Sequence, residues 1–160
     1  MKASPAPRSQ WTRLWIPFGA GLFILGLALA AAVVPQLRLL HAFQALIYVA
    51  VILLARRNHA AGFGAGSAVA AAWNSLQLFI THLFQAGAKE LWSAVTTGHV
   101  RRPDTAAVFV AGIGHFVLFI GCIGAFVQLR PGKREWRQFV IGGVVALGYL
   151  VVIVATMRPR

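Results

Sequence analysis

The sequence predicts an all-α integral membrane helical bundle with five transmembrane helices. Three observations predict it. Hydrophobic residues make up 59% of the 160 and charged residues only 11%, whereas a soluble domain carries about 25% charged residues. Apolar runs long enough to cross a bilayer as helices recur along the whole chain. The basic residues fall between those runs, as in loops that flank membrane spans. Nothing remains for a soluble domain, so residues 1–160 read as one transmembrane domain.

Residues 1–13 form a short basic tail, with Trp11 and Trp15 placed as interfacial aromatics. Span one covers 14–34. Its length exceeds the roughly 7–15-residue apolar core of a signal peptide, so it is expected to be retained. Gly26 and Ala30 offer a small-residue contact face. Pro35 ends the run, and span two covers 39–55, with His41, Gln44 and Tyr48 on one helical face.

Span three, 61–86, is the unusual one. Gly62, Gly66 and Ala70 recur at four-residue spacing and invite close helix contact. Ser67, Asn74, Gln77, Thr81 and Gln85 fall in one stripe about 80° wide. Unpaired polar groups are costly in hydrocarbon, so this helix is expected to be the inner one. The alternative is four spans plus a re-entrant or interfacial segment over Gly62–Ala72. Residues 89–97 suit an interfacial helix ended by Gly98, with Leu91, Trp92 and Val95 towards the head groups. Asp104 or Thr105 suits the N-cap of span four. Spans four and five cover 106–128 and 138–156, separated by the basic turn 130–137.

Charge sets the topology. Fifteen Lys and Arg stand against three acidic residues, for a net charge of +12. Their position between spans points to a lipid bilayer and excludes nucleic acid as the partner. With five spans, nine basic residues fall on the N-terminal side and six on the other, which favours a cytoplasmic N-terminus. Small size and an Arg- and Ala-rich composition suit a bacterial inner membrane.

Helical rise gives the depth of each polar side chain below the non-cytoplasmic surface. Tyr48, Gln77, His115 and Tyr149, on four different helices, all fall about 12–14 Å deep, and Asn74 about 16 Å. His41 and His82 lie at about 3–5 Å, at matching depths. The first group is a candidate polar core or ligand-binding layer. The second satisfies the depth condition for a bis-His haem, although no cofactor is expected.

Other chemistry lacks its parts. Cys122 is the one cysteine, which excludes an internal disulfide or CxxC redox pair. No carboxylate lies in any span, so a Ser–His–Asp device and a buried proton-coupling acid are absent. No metal site is expected, because zinc needs three or four ligands close together. Glu90 and Asp104 read as solvated ion-pair partners.

The expected function is therefore a non-catalytic accessory or packing subunit of a membrane assembly, joined to a membrane protein partner or to a second copy. The alternatives are a haem- or quinone-binding redox subunit using His41 and His82, and a small-solute or ion pathway through the mid-depth layer.

Overall fold

A computed structural model describes residues 11–156, and every element among them is helical. A π-helical turn, Trp11–Trp15, runs into α1, Ile16–Val33. The 3-10 turn Pro35–Leu37 leads to α2, Arg38–Arg56. Helix α3 covers Ala60–Ser75 and continues as a π-helical turn, Leu76–Ile80. Then come α4, Leu83–Thr97, α5, Pro103–Gln128, and α6, Lys133–Thr156.

Four segments are long and apolar enough to cross a membrane: Ile16–Val33, Pro35–Arg56, Pro103–Gln128 and Lys133–Thr156. The five expected spans thus reduce to four on length and apolarity. Helix α3 has only 16 α-helical residues, built largely from Gly, Ala and Ser around Trp73 and Asn74.

The third predicted helix, 61–86, is broken in two. Thr81 closes the π turn by donating its N–H to the Leu76 carbonyl. His82 then adopts a left-handed conformation, φ 54°, as the N-cap of α4. A left-handed non-glycine residue cannot continue a right-handed helix. Two members of the predicted stripe serve this break. The Thr81 hydroxyl donates to the Leu76 carbonyl and the Gln85 amide donates to the Leu78 carbonyl, satisfying groups that a helix end leaves open. The interfacial helix predicted over 89–97 is the second half of the longer α4, and Gly98, φ 73°, ends it as expected.

Helix α5 starts earlier than predicted, because Pro103 occupies its first turn and Arg102 is the N-cap. The Glu90 carboxylate accepts the backbone N–H groups of Arg101 and Arg102, anchoring α4 to the start of α5. It is therefore a backbone tether instead of an ion-pair partner. Asp104 does pair with Arg102, at 3.7 Å in exposed surroundings.

Glycines set the packing. Helix α1 lies along α5 where Gly19 meets Gly114 and Leu118, and Gly26 meets Ala111. Helix α3 sits among α2, α5 and α6, and with 9 of its 16 residues buried it is more thoroughly buried than α5, with 11 of 26. The spaced pair Gly62 and Gly66 faces Leu54 of α2 and Cys122 of α5. The tightest contact is elsewhere. Gly64 lies against the Phe139 carbonyl of α6, and Gly142 of α6 lies against the Ala61 carbonyl. Neither position has room for a methyl group.

Helix α3 and its π turn run along most of the length of α5. Its start shares a surface depression with Leu129 and Arg134, at the far end of α5. Its π turn brings Gln77 against Gly112, and Phe84 of α4 then stacks on Phe109 near the start of α5.

Candidate functional site

Four helices converge on His115 of α5. The residue before it, Gly114, lets α1 approach closely, since a Cβ there would lie 2.7 Å from the Gly19 carbonyl and 2.8 Å from the Phe23 nitrogen. That approach lays the Phe23 ring on the imidazole, with centroids 3.9 Å apart. Helix α2 contributes Tyr48, whose hydroxyl is 2.6 Å from His115 Nε2. Helix α3 contributes Trp73, whose ring meets the imidazole edge-on at 6.4 Å. His115 is 0% exposed, and Phe23 and Tyr48 are each 2% exposed.

The protons of this pair follow from its surroundings. His115 Nδ1 is buried without a hydrogen-bond partner. If the Tyr48 O–H donates to Nε2, only the Nδ1–H group is left unsatisfied. The opposite arrangement leaves both the Tyr48 hydroxyl hydrogen and Nδ1 without partners, so the first is favoured. The three acidic residues, Glu90, Asp104 and Glu135, all lie outside the mid-helix core. The imidazole is enclosed by the Phe23 and Trp73 rings, with no carboxylate beside it to make a Ser–His–Asp type of device.

The mid-depth layer assembles only in part. Tyr48 and His115 meet. Gln77 lies one helical turn along, with its Oε1 beside Gly112. Asn74 and Gln77 are buried, and Asn74 Oδ1 and Gln77 Oε1 have no hydrogen-bond partner. Gln44 of α2 is buried with an unpartnered Oε1 as well. Ser67 is satisfied within its own helix, its hydroxyl donating to the Phe63 carbonyl. Tyr149 does not join the layer. It is 36% exposed and donates to the Phe43 carbonyl of α2, tying α6 to α2 from outside.

The two histidines of matching depth are separately placed. His41 is half-buried against the backbone of Leu27 on α1. His82 is exposed at the break before α4, which packs on α5. No ring contact or hydrogen bond joins the two. Cys122 is fully buried between Gly66 and the α5 core. Among the described residues, no three His, Cys, Asp or Glu side chains gather as metal ligands would.

Sequence reasoning missed half of the enclosure. Phe23 and Trp73 carried no signal among many apolar neighbours. Glycines at 112, 114, 121 and 124 mark α5 as a helix that others can approach closely, but the sequence does not say which helix meets Gly114.

Two apolar clefts flank α6. One, about 560 Å³, opens between the second halves of α3 and α6, where Trp73, Leu76, Leu150 and Val154 line it. The other, about 500 Å³, lies between α2, α3 and α6. With the geometry in hand, comparison with known proteins adds no name: no protein-family model matches the chain, and neither does any curated protein or solved structure.

Proposed function

We propose that the chain is a non-catalytic membrane subunit of five spans, with α3 and its π turn as the third. Sixteen α-helical and five π-helical residues extend about 30 Å at a rise of roughly 1.5 Å per residue. That is about the hydrocarbon thickness of a bilayer. The N-terminus is cytoplasmic in this reading, consistent with nine basic residues on its side and six on the other. A bacterial inner membrane suits the small, Arg-rich chain.

The observation that carries the non-catalytic reading is the enclosure of His115. The one mid-bundle histidine is sealed by Phe23, Tyr48 and Trp73, and its Nε2 is already bonded. Such a group fixes the register of four helices. The surface supports a packing role. Helix α6 is held chiefly by α3, and Val144, Val151 and Val152 on its outer side are 59–66% exposed. The cleft beside Trp73 and this face suit other membrane helices, from a second copy or from another chain.

The protein mass of particles extracted in a mild detergent tests this reading. It is expected to exceed the 17.2 kDa of one chain. Strictly single-chain particles, with no second protein bound, would contradict it.

A further inference from the structure

The groove between α2, α3 and α6 has a basic mouth at one end. Leu54 of α2, Ala61 of α3 and Ile141 of α6 line that end of the groove. One helical turn or a short step away from them lie Arg57, three residues after Leu54, and Arg137, four before Ile141. Arg57 shares a surface depression with Arg134, and Arg137 shares another with Trp136 and Ile141. All three arginines are exposed.

Glu135 shares the depression with Arg57 and Arg134 but forms no ion pair with either. Among the described residues the ion pair formed is Arg102 with Asp104, on other elements. Glu135, the nearest carboxylate in sequence, accepts the Gly132 N–H at 3.0 Å. Below the arginines the groove runs about 500 Å³ to Tyr149, walled by Val51, Ala65, Val145 and Ala146. This volume falls in the range of roughly 300–1,000 Å³ typical of sites for small ligands.

A cationic mouth at the end of an apolar slot in the bundle surface matches a single ligand chemistry. We propose that this groove is a binding site for an anionic phospholipid, its phosphate held by Arg57, Arg134 and Arg137 and one acyl chain laid between α2 and α6. Arginine forks suit phosphate oxygens. Trp136 stands beside them at the head-group level. The small residues Ala50, Ala61, Ala65 and Gly142 on the groove walls leave the depth a chain needs.

Titration of the purified chain with phosphatidylglycerol and with phosphatidylcholine tests the site, read by thermal unfolding and by lipid retained in native mass spectrometry. Phosphatidylglycerol is expected to bind about tenfold more tightly or better, since each arginine near the surface adds attraction for an anionic head group. The double variant Arg57→Gln with Arg137→Gln is expected to bind both lipids alike. Ala50→Trp, which fills the groove at an exposed position, is expected to lose retention of phosphatidylglycerol while the arginines stay. Arg38→Gln, at the other end of α2, is expected to change neither. Equal binding of the two lipids would overturn the proposal. So would a preference that survives Ala50→Trp, or one lost equally in Arg38→Gln.

Discussion

Gly64→Ala is expected to be the most damaging single-methyl change in the chain. A Cβ at Gly64 would fall on the Phe139 carbonyl, and one at Gly142 on the Ala61 carbonyl. Both obstacles are backbone, so no side chain can turn aside and the helices must separate. In a membrane, contact between helix backbones replaces the hydrophobic drive that lipid removes. Gly64→Ala and Gly142→Ala should therefore each cost about 3 kcal/mol or more, at the upper end of overpacking penalties. Gly148→Ala and Gly21→Ala are the controls, because a Cβ there meets nothing within 4 Å. Thermal unfolding in one detergent is the measurement. Equal midpoints for Gly64→Ala and Gly148→Ala would show that α6 is not seated on α3 as described.

The second large effect lies at the enclosed pair. Tyr48→Phe removes the one hydrogen bond that His115 makes and leaves Nε2 buried and unpaired. Hydrogen bonds between membrane helices average about 0.6 kcal/mol, but leaving a buried partner unsatisfied costs about 1–3 kcal/mol. A loss of about 1 kcal/mol is expected. His115→Ala should cost more, about 3–5 kcal/mol, because it also opens a cavity under the Phe23 and Trp73 rings. The informative variant is the double one. Tyr48→Phe with His115→Phe replaces both partners by apolar groups of similar shape, which can be nearly neutral. It should be more stable than His115→Phe alone. Additive losses in this cycle would mean that the two side chains are not coupled.

The sequence carried much of this, with a particular blind spot. Depth along each helix was readable, because rise per residue is fixed, and it placed Tyr48 and His115 at one level. Direction around each helix was not readable. Tyr149 has the right depth but points to the outer side, where its hydroxyl meets the Phe43 carbonyl. The polar stripe of the third helix divided for a similar reason. Asn74 and Gln77 are buried as expected, whereas Thr81 and Gln85 cap a helix end. A regular helical pattern runs through His82, and no residue type there announces a left-handed turn. Glycine spacing also misled in part. Gly62 and Gly66 do meet neighbours closely, yet the tightest approach is at Gly64, between them and on another face.

In the proposed topology α3 crosses the membrane and the other helices pack around it. Reporter fusions at the two chain ends, scored for the side of the membrane on which each lies, test it most directly. Five spans put the N-terminal reporter in the cytoplasm and the C-terminal reporter on the opposite side. Both reporters on the same side would mean an even number of spans, and would contradict α3 as a membrane-crossing helix.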